Sequence, residues 1–289
     1  MKKHIIGLVA LCGVAAQAYA QAPPAPPPPP APPTCTRPSL QAAVDSYLAA
    51  QKSGDRTKMA LAEKVKYLEN MGAVEADKGT WNTALPIAFS RNILDKDRCR
   101  TFSEVIVTEG AHQYVIGTRL SVDNGKITGI DSLVTDKGDW LFNANAYLKY
   151  SKAEDWSAQK GKHSSMQELI NAGNSYLDQF SDKLVQTPWG SPCARLEGGA
   201  YTNRTNDPKS TCKVGIPAGV LYIVNRDYVV DDELGVVNIF CRFGNSQTGM
   251  PDSHMFRLVN GKLANVHTLS VNLTDKPSPQ ADDNGAIIR

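Results

Sequence analysis

Hydrophobic residues recur at helical spacing near the start of the folded region and again in its second half. The two sets share one spacing: Leu40, Val44, Tyr47 and Leu48 in the first, and Leu169, Gly173, Tyr176 and Leu177 in the second. Both copies contain Ser-Tyr-Leu, at 46–48 and 175–177. Proline suits the first turn of a helix, so the first helix is predicted to begin at Pro38.

Each half ends in alternating hydrophobic and polar positions on either side of an Asn-Gly pair. The first run spans 120–130 and the second spans 256–266. Asn-Gly favours a type I′ turn, because both central residues need a positive φ, and it therefore predicts a two-residue hairpin. A helix, several strands and a long hairpin, found twice in the same order, predict an α+β protein made of two similar units.

This order of elements resembles the NTF2-like (SnoaL-like) cone fold, in which helices pack on a curved antiparallel sheet, here in tandem. Four stretches are also similar to an uncharacterised family of secreted proteins, best known in fungi and described only as a domain of unknown function: 138–142, 154–156, 188–201 and 251–254. The resemblance implies a pocket between sheet and helices. In NTF2-like enzymes a His/Asp pair in that pocket performs proton transfers in dehydratases, isomerases and cyclases, without a cofactor.

Composition divides the chain into five segments. Residues 1–20 have a basic start, a short apolar stretch and a small-x-small cleavage site, which predict a signal peptide. Residues 21–34 are almost all Pro and Ala and predict an extended spacer. The two NTF2-like units are predicted at 35–160 and 161–277, and 278–289 is predicted to be a flexible tail.

The net charge of the chain bears on which classes of partner it can bind. The formal charge is +2, with acidic and basic residues interspersed, so no surface for nucleic acid is predicted. No segment after the signal peptide is apolar and long enough to form an integral membrane helix. A secreted or periplasmic protein with a small-molecule or saccharide ligand is therefore expected, and its oligomeric state is left open.

Cysteine content agrees with export. Removing the signal peptide from a chain with six cysteines leaves five, which predicts disulfides and one remaining thiol. Four cysteines allow three pairings, and proximity in the sequence favours Cys193–Cys212 and Cys35–Cys99. Cys241 lies inside an apolar strand pattern and is expected to be a small core residue.

The second hairpin carries the candidate catalytic residues. If a plain two-residue turn sets its register, His254 lies opposite His267, with Asp252 and Phe256 on the same face. The Cβ atoms of directly opposed residues are only about 5 Å apart. Two imidazoles and a carboxylate are therefore predicted to converge.

The first half has Thr118 and Asp131 at the positions that match the two histidines. This asymmetry favours a special role for the histidines, although two opposed histidines on a solvent-exposed face would give the same pattern. Imidazole exchanges protons near neutral pH, and Asp252 could orient His254. Two histidines and an acid could also bind a metal, but a third clear histidine is lacking, so neither a metal nor a cofactor is predicted.

The segment 189–201 supplies candidate substrate-binding residues, with Phe256 as an apolar wall: Arg195, Glu197, Tyr201 and Trp189. Glycines at 198 and 199 would let the backbone approach a ligand closely. The structural alternative is an ordered loop in which Arg195 and Glu197 form an ion pair.

The predicted function is a secreted pocket protein that acts on a small organic molecule or sugar by His/Asp acid–base catalysis, of the lyase or dehydratase type. One alternative is a non-catalytic binding protein that uses the same cavity and tolerates the loss of His254. A second alternative is a structural or interaction module on the Pro-rich spacer. The motifs of nucleophile elbows, P-loops, dinucleotide-binding loops and zinc peptidases do not occur in the sequence.

Overall fold

The computed structural model describes residues 35–158, 163–213, 215 and 217–288, and the predicted signal peptide and spacer lie outside the described residues. The described part is an α+β protein with three α-helices and two six-stranded mixed sheets. The predicted fold class is confirmed. None of the described helices has the length and apolar character needed to cross a membrane.

The two sheets have the same strand order and each follows one helix. The first half contains α1 (Arg37–Ser53), β1 (Leu61–Glu69), β2 (Gly72–Ala73), β3 (Phe89–Asp95), β4 (Arg100–Val107), β5 (Tyr114–Asp123) and β6 (Lys126–Thr135). Helix α2 (Ala144–Ala153) follows. The second half contains α3 (Met166–Asp178), β7 (Trp189–Glu197), β8 (Ala200–Tyr201), β9 (Ile223–Asp231), β10 (Val236–Phe243), β11 (Met250–Val259) and β12 (Lys262–Ser270).

The orders are β2-β1-β6-β5-β4-β3 and β8-β7-β12-β11-β10-β9. In each sheet one pair is parallel, β1 with β6 and β7 with β12, and the other pairs are antiparallel. A helix followed by a mixed six-stranded sheet, found twice with one topology, is consistent with two tandem NTF2-like units.

Local sequence explains where the two repeated helices begin. Thr36 caps α1 and Ser165 caps α3, and each forms a capping box with the residue three positions later, Ser39 or Glu168. These side chains satisfy backbone N–H groups that have no partner within the helix. Gly173 then lets α3 lie close to its sheet, because a Cβ there would be 2.7 Å from the Ile239 side chain.

The two Asn-Gly pairs form the predicted turns. The φ angles are 47° and 74° at Asn124 and Gly125, and 51° and 73° at Asn260 and Gly261. Positive φ at both central residues is the type I′ conformation that matches strand twist. Both hairpins therefore turn where the sequence predicts.

Each sheet has two buried faces. The inner faces pack on their own helices, α1 or α3, and form the two larger hydrophobic clusters. The outer faces pack against each other, and Phe102 meets Phe240 edge to face with ring centroids 5.9 Å apart. The two halves thus share a third hydrophobic core between their sheets.

The contact between the sheets is reciprocal. Leu94 donates its backbone N–H to Asp231 Oδ2, and Val230 donates to Asp95 Oδ2, each at 2.9 Å. Such an exchange of equivalent contacts is typical of two units related by a two-fold axis. The two repeated units are therefore also packed symmetrically against each other.

Both predicted disulfides are confirmed, one in each half: Cys35–Cys99 and Cys193–Cys212. The second closes a loop with a sequence separation of 19 residues, and a loop of that size is worth about 3 kcal/mol in chain-entropy estimates. Cys241 is the free cysteine of the described residues, and it is buried, as predicted.

The segment predicted to be a flexible tail is instead folded against the protein. Strands β13 (Gln280–Ala281) and β14 (Ile287–Ile288) pair with each other. Leu141 donates its N–H to Pro279 O at 2.8 Å, and Tyr201 donates to Gly285 O at 2.9 Å. These hydrogen bonds hold the hairpin against Leu141 and Tyr201. The polar composition of residues 278–289 does not predict such contacts.

Candidate functional site

A β-bulge in β12 places the two histidines on opposite faces of the sheet. In the β11–β12 ladder Leu258 pairs with Leu263 but Arg257 pairs with Asn265, so Ala264 is an extra residue. His254 therefore lies opposite Thr268, and His267 lies opposite Met255. Because a shift of one residue moves a side chain to the other face of a sheet, the prediction that the two histidines face each other is wrong.

His254 lies on the inner face and lines a cavity of about 310 Å³. The polar lining comes from α3 and the three strands β7, β11 and β12: Tyr176, Arg195, Glu197, Asp252, His254, Thr268 and Ser270. Apolar lining residues include Leu141, Phe180, Phe243, Met250 and Ile287. Of the predicted site residues, the cavity brings together His254, Asp252, Arg195 and Glu197.

His254 and Asp252 form a buried electrostatic pair. Nδ1 of His254 lies 3.2 Å from Oδ2 of Asp252, but the direction is too oblique for a formed hydrogen bond. The other carboxylate oxygen, Oδ1, accepts a hydrogen bond of 2.8 Å from the Ser270 hydroxyl. Ser270 therefore fixes the carboxylate beside the imidazole.

Aromatic rings hold the imidazole of His254 in place. Phe256 stacks beside it with ring centroids 5.7 Å apart, and Tyr176 lies 5.5 Å away. Trp189 packs on Tyr176 at 5.7 Å. Phe256 and Trp189, both predicted as ligand contacts, thus support the rings behind the cavity, and neither is among its lining residues.

Arg195 and Glu197 lie on the cavity wall. Arg195 Nη2 is 3.6 Å from Glu197 Oε2, and Nη1 is 3.4 Å from the Tyr176 hydroxyl. Burial lowers the pKa of Arg195, but Glu197 and Tyr176 outweigh burial and raise it above its ordinary value. The two residues thus form the ion pair of the structural alternative and also line the cavity.

Several buried polar atoms around the cavity have no hydrogen bond among the described residues. They are His254 Nδ1, Thr268 Oγ1 and Arg195 Nε. Buried polar atoms are nearly always hydrogen-bonded, and each exception calls for an explanation. A polar ligand in this cavity would supply partners for these three atoms.

The inner face of the first sheet is an internal control. At four positions the first sheet has a less polar or smaller residue than the second sheet. The equivalent pairs, first sheet before second, are Val105 and Cys241, Ile116 and Asp252, Thr118 and His254, and Val134 and Ser270. The Thr118 hydroxyl is paired at 2.8 Å with both Tyr47 and Ser132. The scaffold therefore folds without the polar set of the second half.

His267 lies on the outer face, between the two halves. Its Nδ1 is 2.9 Å from Glu104 Oε2 and its Nε2 is 2.6 Å from Glu154 Oε2. The same carboxylates accept hydrogen bonds from Tyr147, at 2.7 Å, and Trp156, at 2.8 Å. This buried cluster joins β4 of the first half, β12 of the second half and the segment after α2.

The electrostatics of the cluster favour a charged imidazole. Burial, the largest effect, lowers the pKa of His267, but Glu104 and Glu154 together raise it to about 9. Burial raises the pKa of each glutamate. His267, together with Arg91 and the hydrogen bonds from Tyr147 to Glu104 and from Trp156 to Glu154, more than offsets this, so that both pKa values lie below their ordinary value. A charged imidazole between two carboxylates forms a structural ion triad.

Tyr201 contacts this triad and does not line the cavity. Its hydroxyl donates to Glu154 Oε1 at 3.2 Å, and its ring stacks on Tyr150 with centroids 4.0 Å apart. Tyr201 pairs with Leu196 in the ladder, and Leu196 faces the same outer side as His267. The prediction that Tyr201 contacts substrate in the cavity is therefore wrong.

The glycines at 198 and 199 accommodate the chain itself. A Cβ on Gly198 would overlap the carbonyl oxygen of Trp140, and one on Gly199 would lie 2.7 Å from Asn143 Cβ. Asn143 also donates its backbone N–H to Gly198 O at 2.9 Å. The close approach predicted for a ligand is thus made by the 140–143 segment, which covers one side of the cavity.

A second, smaller cavity of about 210 Å³ contains several charged groups but does not form an equivalent site. Its buried Arg119 donates to Asn238 Oδ1 at 3.0 Å and pairs with Asp227 at 3.3 Å. The guanidinium also lies 3.9 Å from the centroid of Phe240. Arg119 is thus committed to the contact between the sheets.

Comparison with known proteins assigns no chemistry to this cavity. Residues 162–270, which include most of the cavity lining, match a family described as "Domain of unknown function (DUF8021)". A solved structure, an NTF-2 like protein of unknown function from Burkholderia xenovorans LB400, is 10% identical, with a TM-score of 0.26, over 38% of this chain and 88% of that chain. No curated protein matches the chain. The predicted similarity to an uncharacterised domain is confirmed.

Several parts of the cavity wall were not predicted from the sequence, among them Ser270, Tyr176, Trp140 and Ile287. Tyr176 was predicted only as a core residue of its helix, and Trp140 and Ile287 lie far from the hairpin in sequence. The Ser-Tyr-Leu repeat was a signal for Tyr176, because its first-half counterpart, Tyr47, hydrogen-bonds Thr118. No pattern pointed to Ile287.

Proposed function

We propose that residues 161–277 form the second NTF2-like unit of an exported protein, and that its cavity binds a small organic molecule or sugar. The supporting observation is the buried pair of His254 and Asp252 beside a cavity of about 310 Å³. The volume lies at the lower end of small-molecule sites, which are mostly apolar with a few placed polar groups. The described lining has that composition.

The proposed chemistry is acid–base catalysis of the lyase or dehydratase type. Nδ1 of His254 lies beside Asp252, which leaves Nε2 to exchange a proton with a ligand. In an elimination of water, Nε2 takes a proton from carbon and returns it to the departing hydroxyl, which leaves as water. The imidazole ends neutral, as it began, so the step needs no external oxidant or reductant.

Arg195 would orient the substrate for this reaction. A guanidinium hydrogen-bonds a carboxylate or a developing oxyanion well, because its planar donors match two oxygen atoms. Glu197 holds one side of Arg195 at 3.6 Å, and Nε has no hydrogen bond. A substrate with a carboxylate or carbonyl near a hydroxyl group fits this arrangement.

Non-catalytic binding is the second candidate. The oblique contact between His254 and Asp252 favours it, because a working general base is normally held by an aligned hydrogen bond. Catalytic hydrogen bonds that are poorly aligned without substrate can tighten when it binds. Turnover therefore separates the two functions, and binding alone does not.

The test is a panel of 3-hydroxy carboxylic acids and monosaccharides, measured by calorimetry for binding and by loss of water for turnover. We expect at least one panel member to bind, and His254→Ala to abolish turnover. The matched control is Thr118→Val, at the equivalent position of the first sheet, which should leave both unchanged. Binding that persists without turnover would identify a binding protein, and absence of binding from the whole panel would contradict the proposal.

A further inference from the structure

Three potential metal ligands meet on the inner face of the second sheet. Cys241 lies opposite Asp252 in the β10–β11 ladder, and His254 follows two residues later on the same face. Their ligand atoms all lie within 4.8 Å of one another. None of the three residues is more than 3% exposed, so they form one buried cluster beside the cavity.

The spacing of these atoms suits one ion. Asp252 Oδ2 lies 4.0 Å from Cys241 Sγ and 3.2 Å from His254 Nδ1. Zinc bonds of about 2.3 Å to sulfur and about 2.0–2.2 Å to nitrogen or oxygen place tetrahedral ligands roughly 3.4–3.6 Å apart. All three ligand atoms lie within 4.8 Å of one another, so side-chain movements of on the order of 1 Å would complete a three-ligand shell.

The charges of the cluster are also suited to a cation. Oδ1 of Asp252 is occupied by the Ser270 hydroxyl, which leaves Oδ2 directed toward Cys241 and His254. Nδ1 of His254 is buried and makes no hydrogen bond among the described residues. A bound metal would displace the proton of the Cys241 thiol.

The first half shows that these residues are not required by the scaffold. Val105 and Ile116 face each other where Cys241 faces Asp252. Both first-half residues are buried in an apolar core. A thiol and a carboxylate have thus replaced two hydrophobic side chains at one place in a repeated fold.

We propose that Cys241, Asp252 and His254 bind a thiophilic divalent metal such as Zn²⁺, and that this metal regulates the proposed proton transfer. The inference rests on the proposed function, because it uses the same imidazole. A metal on Nδ1 leaves the proton of the neutral ring on Nε2, and the ring then donates but no longer accepts. The metal-bound form is therefore inactive as a general base.

Cobalt gives a direct test in the full chain. After treatment with a chelator, Co²⁺ should produce the visible bands of a tetrahedral site and an ultraviolet thiolate charge-transfer band, and Zn²⁺ should remove both. Cys241→Val copies Val105 of the first half and should abolish the thiolate band and weaken Zn²⁺ binding at least tenfold. Cys241→Ser is a second variant that preserves side-chain size, and thermal unfolding verifies that both variants are folded.

The regulatory effect is measured on the same proteins with the panel of hydroxy acids and sugars. Zn²⁺ should lower turnover in the wild type and leave Cys241→Val unaffected. A thiolate band that persists in both cysteine variants, or no band with Co²⁺, would overturn the metal site. An unchanged turnover in Zn²⁺-loaded protein would overturn the regulation. Turnover in metal-free protein is a separate result, so failure of the metal site is distinguishable from failure of the proposed function.

Discussion

His254 and His267 are both buried, but their surroundings give the two imidazoles different roles. His254 has one carboxylate beside it and lines a cavity, whereas His267 lies between two carboxylates. A site for proton transfer needs a group that changes protonation during the reaction. His267 is held as a cation, so His254 is the candidate acid–base.

The position of the two histidines in the hairpin was predictable, but the face that each occupies was not. The Asn-Gly turn identified the pairing of β11 with β12. A bulge residue such as Ala264 has no characteristic side chain, because the extra residue is accommodated by backbone conformation. The single-residue shift that it causes reverses the face of every residue beyond it.

Replacement of His267 should destabilise the protein strongly. His267→Ala leaves Glu154 buried without the imidazolium, and Glu104 keeps only Arg91, 3.3 Å away, as a cationic partner. Removing one partner of a buried ion pair costs about 3–5 kcal/mol. Urea unfolding measures this loss, and His254→Ala is the matched control, for which we expect a smaller effect. Equal free energies of unfolding for the two variants would contradict the assignment of roles.

The pH dependence of stability follows from the same triad. The folded-state pKa of His267, about 9, lies above its ordinary value of 6.5. The stabilisation is therefore complete below pH 6.5 and is lost as the pH rises toward 9, by on the order of 3 kcal/mol in total. On the acid side, the lowered pKa values of Glu104 and Glu154 remove stability as the pH falls below their ordinary value of 4.5.

Thermal unfolding from pH 5 to 10 tests this profile. Glu154→Gln is a useful control, because it removes one of the two charges that raise the pKa of His267. The alkaline loss of stability should then still begin near pH 6.5, but it should end at a lower pH and be smaller in total than in the wild type. A melting temperature that is independent of pH between 6.5 and 9 would show that His267 is not a buried cation.

At the scale of elements, the cavity is completed by segments outside the repeated sheet. The 140–143 segment packs on Gly198 and Gly199, and the C-terminal hairpin contributes Ile287 to the cavity wall. The repeated helices and hairpins were predictable because hydrophobic period and turn residues encode them locally. The covering segments were not, because contacts between distant segments leave no local pattern.

Removal of the C-terminal hairpin should weaken ligand binding more than folding. A chain ending at Ser278 loses Ile287 from the cavity and the hydrogen bonds that Leu141 and Tyr201 make to the hairpin. We expect affinity for a panel ligand to fall about tenfold, which corresponds to 1.4 kcal/mol. Both disulfides should still form, as peptide mapping would verify. Unchanged affinity in the shortened chain would exclude the hairpin from the site.

At the scale of the whole molecule, one topology occurs twice and the polar cavity residues occur once. The reciprocal bonds of Asp95 and Asp231 show that the halves pack as near-equivalent partners. The first half retains hydrophobic residues where the second has Cys241, Asp252 and Ser270. This distribution is expected when one unit serves as scaffold and the other carries the site.

This division into a scaffold unit and a site-bearing unit can be tested by substituting first-half residues at the equivalent second-half positions. The quadruple variant Cys241→Val, Asp252→Ile, His254→Thr and Ser270→Val reproduces Val105, Ile116, Thr118 and Val134 of the first sheet. Well-packed hydrophobic residues in place of buried charges are often neutral or stabilising by about 1–4 kcal/mol. We expect equal or higher thermal stability with no ligand binding. A large loss of stability would instead mean that these polar groups serve the fold.

The most direct test of the central claim is a crystal structure of the full chain soaked with the panel of 3-hydroxy carboxylic acids and monosaccharides. We predict electron density for a ligand in the cavity of the second half, with an oxygen atom within hydrogen-bond distance of His254 Nε2 and a carboxylate or carbonyl near Arg195. Ligand density that occurs only outside this cavity, with His254 and Arg195 untouched, would contradict the account.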